Sequence, residues 1–209
     1  MSGSPHSADY FAEVASLAAR IDLAAVDALA ARLAGLRDAG GRLFVLGVGG
    51  GAGHASHAVN DFRKLCRIES YAPTDNVSEL TARTNDDGWD TSLSGWLSVS
   101  RIGPPDAVFV FSVGGGSRRH GVSVNLVEAI EMAKRSGAGV YGVVGAPGGT
   151  LAELADVAVV IDAPDRLRTP LVESFQAVVW HALVSHPLLA AATGHWEQVL
   201  GRGPETPDR

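Results

Sequence analysis

Cysteine is almost missing from this chain. Cys66 stands alone among 209 residues, so no disulfide framework can staple the fold, and a reducing cytoplasm is the expected setting. Positive charge is scarce as well. Seventeen Lys and Arg face 23 Asp and Glu, for a formal net charge of −6. No basic cluster exceeds Arg118-Arg119, which argues against a nucleic-acid partner. No apolar run approaches the ~20 residues that cross a bilayer, and Met1-Ser2-Gly3-Ser4-Pro5-His6 lacks the basic and apolar regions of a secretory signal. Internal repeats and low-complexity segments are absent too. What is present is 46% hydrophobic residues, enough for the core of one soluble domain.

Glycine is plentiful, and two glycine-rich loops each follow a short apolar run. The first is Phe44-Val45-Leu46-Gly47-Val48-Gly49-Gly50-Gly51-Ala52-Gly53; the second is Val108-Phe109-Val110-Phe111-Ser112-Val113-Gly114-Gly115-Gly116-Ser117. A buried strand that ends in glycines and opens a helix presents bare backbone N–H groups at the positive end of a helix dipole. That arrangement binds anions, phosphate above all.

The rest of the pattern frames these loops. From Ala8 to about Leu36, Phe11, Val14, Leu17, Ile21, Val26, Leu29, Leu33 and Leu36 recur near helical spacing, which predicts one or two helices with Asp22 as a cap between them. Strands are expected at Arg42–Val48, Arg67–Tyr71, Ala107–Val113, Val140–Val144 and Val157–Ile161, mostly continuous runs suited to burial on both faces. Helices are expected at Gly53–Leu65, Ser78–Arg83, Thr91–Ser100, Ser123–Ser136, Thr150–Ala155 and Leu171–Ser185. Alternation of this kind predicts an α/β fold, a three-layer, doubly wound parallel sheet of five strands with its ligand crevice at the carboxyl ends of the strands. The expected domain spans 8–190, with an N-terminal helical segment at 8–38 and an α/β core at 42–188; 1–7 and 201–209 are expected to be disordered tails.

Two of these helices carry candidate chemistry. His54, His57 and Asp61 share one face, and the i, i+4 spacing of His57 and Asp61 suits a pair of metal ligands or a base with its orienting partner. A solvated face with one hydrogen bond explains the same spacing. Glu173 and His181 lie two turns apart on an otherwise apolar helix, where a carboxylate and an imidazole need a partner, a ligand or a cavity. Here the plain alternative is an exposed first-turn Glu173 and a satisfied core histidine.

The stretch from Gly47 to His57, followed by Asp61, resembles the strand–loop–helix of the sugar isomerase (SIS) domain, and of its sedoheptulose 7-phosphate isomerases in particular. Asp75-Asn76-Val77-Ser78-Glu79-Leu80-Thr81-Ala82-Arg83-Thr84-Asn85-Asp86-Asp87-Gly88-Trp89 is the most specific match, and the likeness covers roughly Tyr10 to Leu188. The resemblance implies a flavodoxin-like SIS fold and an aldose–ketose isomerase that works through an enediol(ate) with a divalent metal, zinc. It implies His57, Asp61, Glu173 and His181 as metal ligands, with Asp61 and His181 also moving protons, two roles that compete at Asp61. It implies substrate contacts from Gly49, Gly50, Gly51, Ser112, Gly114, Gly115, Ser117 and Glu173, and from Asn85 and Asp86 on a loop. It further implies a homotetramer with sites at subunit junctions.

Departures from the family pattern are concentrated in the loops. Val48 replaces an asparagine, Gly51 a serine, and Val113 and Gly114 stand where hydroxyl residues are usual. Asp61 is shorter than the family's glutamate, and Glu173 takes the place of a frequent glutamine. The phosphate cradle is thinned as a result, with Arg118, Arg119 and His120 as candidates to compensate by charge pairing. Two other readings stay open. Gly47-Val48-Gly49-Gly50-Gly51-Ala52, with Glu69 about 20 residues on, also fits a dinucleotide-binding fingerprint. A non-catalytic SIS protein that binds a sugar phosphate or another protein is the third.

Overall fold

The computed structural model describes residues 5–192 and 194–200. Among them the strands β1 (Leu43–Gly47), β2 (Ser70–Tyr71), β3 (Ala107–Ser112), β4 (Gly139–Gly145) and β5 (Val157–Ile161) pair in parallel in the order β2-β1-β3-β4-β5. The helices are α1 (His6–Ala18), α2 (Leu23–Asp38), α3 (Gly50–Cys66), α4 (Val77–Asp86), α5 (Ser92–Val99), α6 (Val124–Arg135), α7 (Gly149–Leu154), α8 (Arg168–Val184) and α9 (His195–Leu200).

Strand periodicity divides the core into two. Leu43 and Val45 of β1 and Phe109 and Phe111 of β3 face one side of the sheet, where α2, α3 and α8 supply Leu29, Leu33, Phe62, Phe175 and Trp180. The alternate residues Phe44, Leu46, Val108 and Val110 face the other, against Leu93 and Leu97 of α5 and Leu126 and Ile130 of α6. Every residue of β1 and β3 is buried, as a sheet covered on both faces requires. Each such large side chain contributes on the order of 1.5–3 kcal/mol.

The strand order reverses between β1 and β3, so the chain leaves β1 for α3 on one face and β3 for α6 on the other. A crevice opens at their carboxyl ends, and both glycine loops lie there. A third loop, Ala146-Pro147-Gly148 after β4, is nested against the second. A β-carbon at Gly115 would collide with the Gly148 carbonyl, and the N–H groups of Thr150 and Leu151 donate to the carbonyls of Gly116 and Gly115.

Several boundaries differ from those expected. Asp22 does cap α2, accepting the Ala25 N–H at 3.0 Å. Helix α1 begins at His6, inside the segment expected as a tail; residues 201–209 lie outside the described residues. Strand β2 is reduced to two residues because α3 runs on to Cys66 and Arg67 closes it in the left-handed region, at φ 55°.

Candidate functional site

Helices α3 and α8 run side by side in the same direction. Gly50 lies against Glu173, His54 against Gln176, Asp61 against Trp180, and Cys66 against the Val184 carbonyl. The chemistry-bearing residues of both helices are strung along this seam. Glu173 and His181 are eight residues apart, about 12 Å at 1.5 Å per residue.

The far end of the seam gathers His57, Asp61 and His181. Their donor atoms all lie within 4.8 Å of one another, with the two imidazole Nε2 atoms 3.5 and 3.6 Å from Asp61 Oδ2. Asp61 is buried and held by donors, Trp180 Nε1–H at 3.2 Å and Asn60 Nδ2–H at 3.0 Å. His181 Nδ1 is 2.9 Å from the Ala177 carbonyl. A carbonyl only accepts, so Nδ1 carries a proton, and in the neutral ring the lone pair of Nε2 turns toward Asp61. Three such ligand atoms, one ring with its second nitrogen anchored, are compatible with a metal site. Both imidazoles are more than half exposed.

Glu173 is not part of this group, contrary to expectation. Its carboxylate rests over Gly50, where a β-carbon would come within 2.5 Å of Oε1. It therefore sits at the positive end of α3 and on the wall of a cavity of about 320 Å³ between the glycine loops. Two helical turns separate it from His181, too far for one ion to bridge within a single chain. Val48, Gly51, Phe111, Ser112, Val113, Gly114, Val122, Ser123, Leu126 and Gln176 complete the cavity wall.

The remaining expected contacts divide. Gly51, Ser112 and Gly114 line the cavity, and Ser112 Oγ accepts the Gly115 N–H at 2.9 Å. Gly49 and Gly50 are exposed at the start of α3, whereas Gly115 is buried beneath Gly148. Gly51 packs so closely on the Phe111 carbonyl that a β-carbon would approach to 2.6 Å, which explains why no serine stands there. Ser117 does not reach the cavity. It opens a short antiparallel excursion that returns at Val122, and its Oγ accepts the His120 N–H at 3.3 Å. Arg118 is not free to meet a ligand, since Glu128 and Glu131 each hold it at 2.7 Å. Asn85 and Asp86 lie in the last turn of α4 rather than in a loop; they are exposed, and they bond to each other at 2.7 Å. Asn76 caps that helix and the Glu79–Arg83 pair braces it, extending it past the expected end.

A hollow of about 370 Å³ on the other side of α3 includes Arg63, Tyr71, Asn76, Glu79 and Trp96. Its main charges are already engaged, Arg63 by the Ser70 carbonyl and Glu79 by Arg83. Glu69, the acid of the dinucleotide reading, accepts the Tyr71 hydroxyl at 2.8 Å. Burial pushes the Cys66 thiol up to about 11, with the charge of Arg37 opposing, so it is an inert core residue.

Two cavity residues were missed at the sequence level. Ser123 precedes α6 with φ 47°, and its side chain does not cap that helix. The predicted helix start at Ser123 was the available signal. Gln176 is fully buried and was passed over as one polar residue in an apolar helix.

No family model matches the chain. The lincomycin biosynthesis protein LmbN of Streptomyces lincolnensis is 39% identical over 160 residues, or 71% of this chain. The chain spans 56% of that protein's length, little more than half. The phosphoheptose isomerase of Rhodospirillum rubrum is 33% identical over 150 residues, which cover 69% of this chain and 74% of that enzyme. The solved phosphoheptose isomerase GmhA of Neisseria gonorrhoeae shares the fold, with a TM-score of 0.73 over 85% of this chain and 95% of that one, at 24% identity.

Proposed function

The chain belongs to the phosphoheptose isomerase family, and from that premise we propose that it interconverts an aldose and a ketose sugar phosphate, sedoheptulose 7-phosphate and D-glycero-D-manno-heptose 7-phosphate. The observation that carries this reading is the His57–Asp61–His181 cluster at the far end of the seam that starts at the cavity. A substrate that engages both ends must be extended over about 12 Å. That favours a long-chain sugar with its phosphate at one end and its carbonyl at the other.

Isomerisation moves a proton between neighbouring carbons and another between their oxygens. His181 Nε2, whose lone pair is set by the Ala177 bond, takes the proton from the carbon acid and returns it to the adjacent carbon. Asp61 Oδ2 meets Trp180 Nε1–H and both imidazoles, and its role is to orient them rather than to leave with a proton. His57, Asp61 and His181 would hold a divalent cation, zinc in this reading, which supplies Lewis-acid polarisation of the substrate oxygens. The Nε2 lone pair of His181 can serve as base or as ligand but not as both at once, so His181 would act as base only when it is off the cation. Ser112, Ser123 and the N–H groups of Gly49, Gly50 and Gly114 bind the phosphate end, while the Gly51 N–H is taken by the Val48 carbonyl at 3.1 Å. Asn85 and Asp86 contribute only if a neighbouring subunit presents them. Subunit junctions of a homotetramer would cover the half-exposed imidazoles and Val178, which is exposed on α8 three residues before His181. A lone, buried cysteine suits a cytoplasmic setting.

The identity with a protein named for lincomycin biosynthesis, together with the apolar wall of Val48, Val113, Val122 and Leu126, favours a second substrate reading. There the ligand is a different sugar phosphate and the chemistry is the same. The test is to incubate the purified protein with a panel of aldose and ketose phosphates and follow exchange of the carbon-bound proton by NMR. Conversion of a heptose phosphate supports the first reading and conversion of another member supports the second. Absence of exchange across the panel, with and without added zinc, overturns both.

A further inference from the structure

The cavity wall includes a residue whose donor the proposed chemistry leaves unused. Gln176 lines it from α8, is fully buried, and has no partner for Nε2, although its Oε1 meets His54 Nδ1 at 2.8 Å. Turning the amide over would pair Nε2 with His54 and orphan Oε1, so one polar end goes unmatched in either orientation. Folded proteins leave few such groups dry, because an unpaired buried donor costs more than a typical hydrogen bond returns. His54 is itself wedged, edge-on to Phe111 with ring centroids 6.1 Å apart and tilted against Trp180 at 5.0 Å. The imidazole holds the amide by Oε1 and leaves Nε2 unmatched beneath the cavity wall, so a ligand reaches that end only as the wall gives way.

The surrounding wall limits what that free end can meet. Val48, Val113, Val122 and Leu126 offer no hydrogen bond, and Ser112 Oγ already serves Gly115. With the phosphate taken by the glycine N–H groups and serines, the Glu173 carboxylate on the same wall disfavours any further anion beside Gln176. A neutral oxygen is the partner left.

We propose that Gln176 reads the ligand: its amide hydrogen-bonds one uncharged oxygen, hydroxyl or carbonyl, in the sugar portion of a bound sugar phosphate, and so helps decide which sugars the cavity accepts. This rests on the reading of the site as a sugar-phosphate isomerase. A ligand lacking that oxygen returns the amide to its unpaired state, which is how a buried polar group discriminates against a deoxy analogue.

The experiment is calorimetric titration of wild type, Gln176→Leu and Gln176→Met with sedoheptulose 7-phosphate and, separately, with inorganic phosphate, alongside turnover. Sedoheptulose 7-phosphate affinity is expected to fall about tenfold or more in both variants, with KM rising more than kcat falls. Inorganic phosphate affinity should stay within about twofold. Met fills nearly the volume of Gln, so it carries the test if the Leu variant does not fold. Unchanged sugar-phosphate affinity overturns the proposal, and so does an equal loss for both ligands, which would assign Gln176 to packing alone. A wild type that binds the sugar phosphate without isomerising it defeats the isomerase reading, while the ratio of affinities still judges Gln176. A wild type that binds no sugar phosphate removes the proposal together with its premise.

Discussion

The two ends of the α3–α8 seam are built on opposite terms. At the loop end, backbone and side chains are packed until Gly51 has no room for a β-carbon and Gln176 has no access to water. At the other end, Asp61 is buried and doubly hydrogen-bonded, but its two histidines stand half in solvent. In the proposed function the contrast separates recognition from chemistry. A site that must tell one sugar from another keeps its polar groups dry, where an unmade hydrogen bond is expensive. Groups that must exchange protons or take up an ion need access, and burial here is reserved for the carboxylate that orients them.

The largest expected effect falls at the open end. His181→Gln should lower turnover by about 10²–10⁴-fold, the usual share of a general acid–base, with circular dichroism and melting temperature nearly unchanged. Activity like that of wild type would remove His181 from the reaction and make the exposed end a mere surface.

Next comes the packing of the loop end. Gly115→Ala combines a φ of +75° with a collision against the Gly148 backbone, so a loss of about 3 kcal/mol or more is expected. In a domain of this size that is a fall of roughly 6–12 °C by calorimetry. Gly50→Ala meets only the movable end of Glu173, and its melting temperature should hardly change while phosphate affinity does. Equal melting losses for the two variants would erase the distinction between a rigid cradle and an adjustable carboxylate.

Metal response is the third comparison. Zinc at 100 times its dissociation constant should stabilise the wild type by about 2.7 kcal/mol, a rise of roughly 5–10 °C. The rise should vanish in Asp61→Asn and survive in Glu173→Ala. Loss of the response in Glu173→Ala would restore the four-ligand expectation, with Glu173 supplied across a subunit boundary.

The smallest effect on the site is expected from the opposite edge of the sheet. Burial pushes the Asp106 carboxyl up, but hydrogen bonds from Arg42 and Gly103 outweigh it and hold it below the ordinary carboxylate range. A depressed carboxylate contributes stability above the unfolded value of ~3.9, and that contribution is lost as pH falls through the folded value. Asp106→Asn should therefore cost about 1–3 kcal/mol at pH 7 and progressively less below pH 4, by urea denaturation. Zinc response and turnover of the folded variant should match wild type. A change in either would mean that the two edges of the sheet are coupled.

How much of this was legible in advance follows from the range of each interaction. The five strands, their parallel pairing and the Asp22 cap are local or periodic features, and apolar runs between glycines and one capping residue were enough to predict them. The His57–Asp61 pair was legible for the same reason, since i, i+4 spacing is itself a distance. Asn85 and Asp86 were misjudged because a polar stretch reads as a loop until the Asn76 cap and the Glu79–Arg83 pair are seen to hold it helical. Ser117 was expected at the ligand because a run of glycine and serine does not announce that the chain leaves and returns between Ser117 and Val122.

From its sequence alone, this protein was committed to a doubly wound sheet with two glycine-rich turns at one edge, because burial on both faces and backbone freedom are written residue by residue. Only the tertiary structure decided that Glu173 parts from His181, that Ser123 rather than Ser117 faces the cavity, and that Gln176 is left with an unpaired donor. Those outcomes depend on how two helices far apart in the chain are set against each other. A shift of one turn along that seam would have produced a different site from the same residues.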